Sequence, residues 1–452
     1  MKITIPGQVQ NILRTLVSHG YEAYVVGGCV RDSILGKTPS DWDITTSARP
    51  EQVKALFPRT IDTGIQHGTV TVMMEKTGYE VTTYRIDGVY EDHRRPNDVV
   101  FTSSLKEDLM RRDFTINAMA YNEENGLVDL FGGVEDLNNR IIRCVGTPSE
   151  RFDEDALRML RAIRFAGQLN FSIEKKTMDS IIAGHGFIKD VSAERIQMEL
   201  LKLLISNHPE MFRIAYLTGL TRIFLPEFDR MMETPQNNPH HVYSVGEHTL
   251  HTMQAIDANP ILRLTMLLHD VGKPETRSTD SQGIDHFFHH NEISSRMSRD
   301  ILKRLKFDNK TIQIVTTLIA YHDARFQEPL GNGRKQVRQI IHSVGPALFP
   351  YLLDVMEADI AGQSDYMRLK KLTILKETRA SYQEILQAGD CLTLKELKIN
   401  GNQLKALGIS EGKTIGVILN TLLSLVLENP ELNSYDILEK IALKIYSEIH
   451  SD

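Results

Sequence analysis

The spacing of apolar residues changes from a mixed pattern to an almost purely helical one at about residue 150. Before that point, AYVVGG (Ala23–Gly28) predicts a short apolar strand entering a Gly-Gly turn, and VRDSILG (Val30–Gly36) a short helix closed by Gly36. Trp42–Thr45 predicts a second strand, and residues 51–57 a helix. TVTVMM (Thr69–Met74) and YEVTTYR (Tyr79–Arg85) predict two strands flanking a turn at Lys76-Thr77-Gly78. Residues 86–98 (IDGVYEDHRRPND) are polar and contain proline, which predicts a loop, and Leu105–Ala120 has helical spacing. After 150, strand signals almost vanish. Leu, Ile and Met recur at helical intervals over 151–220, Pro226, Pro235 and Pro239 mark a linker, and 366–452 form a last helical section broken by Gly401, Gly408 and Gly412.

A chain of 452 residues is too long for one ordinary domain, so two to four are expected. Its 41% hydrophobic and 25% charged content is that of a soluble globular protein. No apolar run is long enough to span a bilayer. The start, MKITIPGQVQ, has no apolar secretory core, and Cys29, Cys144 and Cys391 form neither a disulfide framework nor a paired metal spacing. A cytoplasmic location is expected. The net charge of −7 speaks against a protein that coats nucleic acid but leaves room for a local basic groove. Arginines cluster at Arg111–Arg112 and at Arg158, Arg161 and Arg164.

Asp41 and Asp43 stand two apart on a predicted strand, so both carboxylates face one side and can grip one or two divalent cations. Mg²⁺ is the cation such oxygen ligands favour, and nucleotidyl transfer is the chemistry that needs it. Gly27 and Gly28 let backbone approach a phosphate, and Arg31 adds a charge-assisted contact. Taken alone, Asp-x-Asp is as often a surface strand edge. The Gly-Gly turn and Arg31 at this spacing favour the functional reading. Glu80 is either a third carboxylate or a solvated strand glutamate.

Asp155 and Arg158 stand three apart on a predicted helix face. A carboxylate accepting from an exocyclic amine, beside a guanidinium donating to a ring acceptor, matches the edges of C and A and mismatches U and G. Arg161 and Arg164 continue at helical spacing and are candidates for triphosphate or primer backbone. Without the upstream aspartates, this would be a helix with an i,i+3 salt bridge and a basic solvated face. Arg112 and Asp113, with Asn117 nearby, are candidates for triphosphate and ribose.

A second constellation is His248, His269-Asp270, His290, His322 and Asp359. Imidazole and carboxylate together suit borderline divalent ions, so His248, His269, Asp270 and Asp359 are candidate ligands, with Lys273 able to contact a phosphate. His290 and His322 would allow a second metal, but scattered helical histidines explain them about as well. His240, His241, His251 and His289 are expected bystanders.

GGCVRDSILGKTPSDWDITT resembles the signature of the DNA polymerase beta superfamily. It is most similar to the class II tRNA nucleotidyltransferase (CCA-adding) and bacterial poly(A) polymerase family. RRDFTINAMAYN (Arg111–Asn122), DLFGG (Asp129–Gly133), EDALRMLRAIRFAGQLNF (Glu154–Phe171) and ERIQMEL (Glu194–Leu200) resemble that family's further motifs, in order. The resemblance implies an α+β fold: a polymerase-beta-like head with a mixed sheet (1–145), then an all-α neck for nucleotide selection and RNA binding (146–225). It implies CCA addition to tRNA from CTP and ATP with Mg²⁺, Asp155 and Arg158 acting as a protein template. Gly28, Arg31, Arg112, Asp113, Asn117, Arg161 and Arg164 would be nucleotide-binding. VYEDHRRP (Val89–Pro96) resembles the complete form of a loop the family needs for adding A, which makes C-only addition the least expected activity. An A-adding enzyme or a poly(A) polymerase remains the alternative within the family. The order H…HD…H…H…D resembles the HD phosphohydrolases, implying an HD body (226–365) with a divalent metal of unknown identity. A mainly hydrolytic protein is thus a further alternative. LKINGNQLKALGISEGKTIGVILNTLLSLVLENPELN resembles the tail of clostridial-type CCA-adding enzymes, implying a tRNA-binding tail (366–452) in which Gly408, Gly412 and Lys413 could meet an RNA phosphate.

Overall fold

The computed structural model describes residues 2–87, 90–91, 95–96, 99–326, 333–409 and 412–449, with the side chains of 87–99 outside that description. The chain forms two compact units, Met1–Pro226 and Glu227–Asp452.

In the first unit, β1 (Ala23–Val26), β2 (Ile44–Thr46), β3 (Thr60–Gly64), β4 (Thr69–Met74), β5 (Thr77–Thr83), β6 (Met119–Asn122) and β7 (Gly126–Asp129) form one sheet. Its order is β7-β6-β1-β2-β5-β4-β3. Neighbours are antiparallel except β2 and β5, which run parallel with Ile44 opposite Val81. All four residues of β1 are buried, which is why AYVV shows no alternation. Tyr24 and Val26 pack with Tyr84, Leu109 and Ala120. Burying a side chain such as Val26 contributes about 1.5–3 kcal/mol, so truncating it would loosen the floor under the Gly-Gly turn.

Several local expectations are corrected. Strand β2 begins at Ile44 rather than Trp42: only the Asp43 carbonyl is bonded to β1, accepting from Val26 N–H at 3.0 Å, so Asp41–Asp43 lead into the strand without joining it. The β4/β5 turn is the two-residue Glu75-Lys76, with Met74 opposite Thr77 and Glu75 at φ 56°, so Thr77 and Gly78 pair in the ladder. The edge strand β3 went unpredicted because three of its five residues are exposed and its sequence, TIDTG, is mostly polar. In place of an irregular loop over 86–98, Arg85–Asp87 pairs with Val99–Phe101, and Tyr90–Glu91 with Arg95–Pro96. The side chains on which the A-addition expectation rests lie outside the described residues. The run Leu105–Ala120 is helical only to Met110. Thr115–Asn117 is a single 3₁₀ turn, and Met119–Asn122 enters the sheet because pairing with both β1 and β7 outweighs helical spacing. Arg112 and Asp113 therefore lie beyond the helix end.

The rest of this unit is helical, with Pro148–Glu154, Leu157–Leu169, Lys175–Gly184 and Ala193–Leu204, apart from a short parallel pairing of Ile141–Ile142 with Ser172–Ile173. Asp155 and Arg158 do not share a helix, which corrects the common-face expectation. The chain breaks at Asp155 (φ −146°, ψ 101°), whose carboxylate accepts from Leu157 N–H at 3.1 Å where the next helix starts. Short acidic side chains favour that position because they satisfy helix-start N–H groups.

In the second unit, Val245–Ala255, Pro260–Leu268, His290–Arg304, Asn309–Tyr321 and Phe349–Ala361 surround one centre. Ser244, Asn259 and Asp308 cap three of them with side-chain oxygens. Seven of the nine residues of Pro260–Leu268 are buried, marking it as a helix enclosed by its neighbours. The helices Arg368–Ala388, Lys413–Glu428 and Tyr435–Ile449 pack through Leu375, Ile385, Ile418, Leu422, Val426 and Leu438. Gly408 and Gly412 have φ of 83° and 104°, and the residues between them include two outside the description.

Candidate active site and metal centre

The first candidate site lies where β1 turns into the helix Gly28–Ile34. Gly27 has φ 80°, so its conformation requires glycine, and a Cβ there would stand 3.0 Å from Arg112 Nη1 and press on that guanidinium. Asp41 and Asp43 open to solvent beside it. The surrounding protein raises the pKa of Asp43, Arg112 opposes that rise, and Asp41 adds to it. Glu80 on β5 is raised by desolvation and then by Asp43 and Asp41. Asp43 beside Asp41, with Glu80 feeling both, makes an oxygen-rich locus suited to a hard divalent cation.

Beside this locus runs a chain of charge-assisted bonds. Arg31 Nη1 donates to Asn117 Oδ1 at 2.6 Å, and Asn117 Nδ2 donates to Asp113 Oδ1 at 3.1 Å. Asp113 Oδ2 accepts from Arg161 Nε and Nη2 at 2.9 and 2.6 Å. Glu199 pairs with Arg164 at 2.5 Å and lies 3.6 Å from Arg161. The ring of Phe165 underlies three guanidiniums, with Arg164, Arg31 and Arg161 at 3.8, 5.1 and 5.5 Å from its centroid. Arg164 is buried and held by Glu199 and Gln168, and burial lowers its pKa to about 10 against the pull of Glu199. Arg161 is the most exposed of the three, so its donors are better placed for a triphosphate.

Asp155 accepts from Arg195 Nη2 at 2.7 Å, and Arg158 donates to Glu154 at 2.6 Å and to the carbonyls of Arg151 and Arg111. The two base-reading candidates thus hold partners other than each other. Phe165, Glu199 and Arg195 were not singled out from sequence. The last two stand four apart inside ERIQMEL, the one signal that could have found them.

The second candidate site brings together all six predicted residues, His290 and His322 included. The ligand atoms of His248, His269, Asp270 and Asp359 lie within 4.8 Å of one another, as do those of Asp270, His290 and His322. Asp270 is shared: Oδ2 lies 3.2 Å from His269 and 3.6 Å from His248, and Oδ1 lies 3.4 Å from His290 and 3.6 Å from His322. His248 Nε2 stands 2.8 Å from Asp359 Oδ1.

Every imidazole is oriented by a backbone carbonyl. Nδ1 of His269, His290 and His322 meets the carbonyl three residues earlier, Met266, Phe287 and Ile319, at 2.7, 2.8 and 2.7 Å. His248 Nδ1 meets the Gly362 carbonyl at 3.0 Å, where a Cβ on Gly362 would touch the ring. With Nδ1 facing a carbonyl, each ring turns Nε2 into the centre, and these atoms face each other: His248 to His269 at 3.4 Å and His290 to His322 at 3.3 Å. Both oxygens of Asp270 are buried without a hydrogen bond of normal geometry. Asp270 and Asp359 are held well below the carboxylate range, burial being outweighed by the facing histidines and, for Asp270, by Lys273. His269 is disfavoured by burial but pushed up to about 10 by the two aspartates. A pocket that stabilises positive charge where four imidazole Nε2 atoms and the carboxylates of Asp270 and Asp359 converge fits a pair of divalent cations.

Two expected bystanders sit against this centre. His241 packs edge-on against His248 at 5.0 Å, and burial and Lys273 lower its pKa to about 2. His240 contacts Lys371. Isolated histidines carry no spacing signal, so only the fold could reveal them. His251 stacks on Tyr243, and His289 starts a helix at φ 59°.

Carboxylates at the entry of β2, the glycine turn and an arginine wall give the first unit the groups that a metal-dependent nucleotidyltransferase requires. Family models agree in chain order: "Poly A polymerase head domain" over residues 23–143, "Probable RNA and SrmB- binding site of polymerase A" over 170–232, and "tRNA nucleotidyltransferase domain 2 putative" over 276–442. The chain is 38% identical over 417 residues to the CCA-adding enzyme of Levilactobacillus brevis, covering 91% of each chain. It is 37% identical over 430 residues to that of Lactobacillus helveticus, covering 95% of this chain and 94% of the relative. Its fold matches the crystal structure of the Bacillus stearothermophilus CCA-adding enzyme in complex with CTP with a TM-score of 0.72 at 29% identity, over 99% of this chain and 100% of the other. The chain belongs to the family of CCA-adding enzymes. Among the described residues no helix is long and apolar enough to cross a membrane.

Proposed function

We propose that this chain adds the CCA sequence to the 3′ end of tRNA in the cytoplasm, from CTP and ATP and without a nucleic-acid template. The observation that carries the reading is near-full-length similarity to CCA-adding enzymes together with Asp41, Asp43 and Glu80 grouped beside the Gly27 turn. Asp41 and Asp43 would hold Mg²⁺, whose charge would ease ionisation of the primer hydroxyl and offset charge on the pyrophosphate leaving group. The backbone at Gly27 and Gly28 admits the triphosphate, and Arg31, Arg112 and Arg161 bind its oxygens. Asp113 and Asn117 hold Arg161 and Arg31 in place, and Arg164 braces the wall from below. Asp155 and Arg158 select C or A by exchanging Arg195 and Glu154 for the base edge. RNA is recognised by shape and backbone through the neck and tail, since one enzyme must serve many tRNAs. The test is incubation with trimmed tRNA and each nucleoside triphosphate separately. CTP is incorporated on tRNA ending at its discriminator base, and ATP after two C. Incorporation of ATP alone would favour the A-adding alternative.

A second activity is supported by the four imidazoles whose Nε2 atoms converge on Asp270. The second unit is an HD-type metal phosphohydrolase: His248, His269, Asp270 and Asp359 hold one divalent cation, and Asp270, His290 and His322 hold another. The cations would supply an ionised water and polarise the phosphoryl oxygens. Elemental analysis of the purified chain, with and without chelator, tests the metal reading. A chain that takes up no divalent ion beyond that lost on Asp41→Asn and Asp43→Asn would refute it.

A further inference from the structure

Asp108 is a fully buried carboxylate of the first unit, carried by the helix Leu105–Met110. A carboxylate so removed from water is costly to ionise, so it must be held by charge and hydrogen bonds. Oδ1 accepts from Arg111 Nε and Nη2 at 2.9 and 2.7 Å. Oδ2 accepts from Thr45 Oγ1 at 2.9 Å and lies 3.7 Å from Arg112 Nη2. Burial pushes the pKa of Asp108 up, but Arg111, Arg112 and the Thr45 hydroxyl outweigh burial and hold it below the ordinary value. These contacts join separate parts of the head. Thr45 lies two residues beyond Asp43 on β2, buried and paired with Tyr24 of β1 and Thr82 of β5. Arg112 reaches the glycine turn, where its Nη1 stands 3.0 Å from the place a Cβ on Gly27 would take.

Arg112 is held differently from the other arginines of the wall. Arg31, Arg161 and Arg164 each donate to a side-chain acceptor. Among the described residues the Arg112 guanidinium makes no hydrogen bond, and its Nε is buried without a partner. Asp108 is within ion-pair distance of it but beyond hydrogen-bonding reach. Of the carboxylates around Arg112, Asp108 acts on it most strongly, ahead of Asp43 and Asp113. A counterion at that distance keeps a guanidinium in place while leaving its donors free for another acceptor.

We propose that Asp108 is a positioning residue for nucleotidyl transfer: it holds Arg112 at the Gly27 turn with its donors free for the β- and γ-phosphates of the incoming nucleotide, and ties it through Thr45 to the strand that follows Asp43. This rests on the reading of the first unit as a nucleotidyltransferase whose Arg112 binds triphosphate oxygens. With Asp108 neutralised, Asp43 becomes the carboxylate that acts most strongly on Arg112. The guanidinium is then drawn towards a candidate metal ligand and away from the substrate.

The test uses the full chain with Mg²⁺ and without tRNA, so that nucleotide binds and no transfer follows. Affinities for CTP and CMP are measured by calorimetry, and Trp42 fluorescence in urea confirms that the first unit is folded. Asp108→Asn weakens CTP by roughly tenfold and CMP by no more than about twofold, because only the triphosphate carries the oxygens that Arg112 takes. Thr45→Val removes the hydroxyl bond to Oδ2 alone. It weakens CTP by about threefold with the same selectivity, and carries the test if Asp108→Asn does not fold. In an Arg112→Ala background neither substitution costs further CTP affinity, since a residue acting through Arg112 has nothing left to position. A carboxylate that only supports the fold would weaken CTP and CMP alike, in both backgrounds. The inference is overturned if the folded variants bind CTP as the parent does, if CMP affinity falls with that for CTP, or if the loss persists without Arg112. A parent chain that binds no CTP, or transfers none to trimmed tRNA, would instead overturn the nucleotidyltransferase reading beneath it.

Discussion

Replacing Asp113 with Asn removes the carboxylate that ties Arg161 to Asn117 and, through Asn117, to Arg31. Burial alone would raise the pKa of Asp113, but Arg161, its two hydrogen bonds and that of Asn117 outweigh burial and hold it at about 2. The gap from the ordinary 3.8 corresponds to roughly 2.5 kcal/mol. Because the folded pKa is depressed, this contribution is fully present above about pH 4 and is lost as pH falls from there towards about 2. An amide cannot supply it at any pH, and its single oxygen can face either Arg161 or the Asn117 and Phe114 donors, which leaves the other side without an acceptor. Breaking a buried pair from one side costs about 3–5 kcal/mol, and Glu199, 3.6 Å from Arg161, recovers part of that. Asp113→Asn should therefore destabilise the first unit by about 2–3 kcal/mol at pH 7, with a penalty that shrinks below pH 4. Trp42, the chain's single tryptophan, lies in this unit, so its fluorescence during urea unfolding reads the unit apart from the rest of the chain. CTP incorporation should show a raised KM, since Arg31 and Arg161 lose their anchor. Equal urea midpoints at pH 7, or a difference that stays constant from pH 6 to pH 3, would refute the argument.

Asp43→Asn should lower nucleotide incorporation by about 10³-fold or more with an unchanged circular dichroism spectrum; retention of a tenth of the activity would remove Asp43 from the metal site. Gly27→Ala, forced to φ 80° and against Arg112 Nη1, should cost about 1–2 kcal/mol and most of the activity, and an unshifted Trp42 unfolding curve would contradict the strain argument. Arg158→Ala or Asp155→Ala should narrow the preference for CTP and ATP over UTP and GTP by roughly tenfold or more, measured as relative incorporation on trimmed tRNA. Metal at 100 times its dissociation constant should stabilise the second unit by about 2.7 kcal/mol; chelator should lower its melting temperature, and His269→Ala should abolish the difference.

The chemistry-bearing residues were largely visible beforehand because their roles demand particular side chains at short spacing. Asp41 and Asp43 need only one residue between them and a nearby glycine turn, and His269-Asp270 are adjacent. The pairing of strands was less visible. β3 is short and polar, and β6 sits in a run with helical spacing that the sheet overrides. Asp155 and Arg158 kept their place in sequence but not their shared face, since the Asp155 carboxylate starts a new helix.

The sequence by itself determined the head's candidate metal-binding pair, the change from sheet to helix after about residue 150, and the histidines and aspartates that the second centre brings together. Tertiary structure alone decided that Asp270 is shared by two groups of histidines, that Arg31 and Arg161 are joined through Asn117 and Asp113, and that Lys371 stands beside Asp359. The physical reason is distance along the chain. Local spacing reports which side chains share a turn or a strand face, whereas Asp270 and His322, or His240 and Lys371, meet only because buried helices bring separated segments within hydrogen-bonding reach.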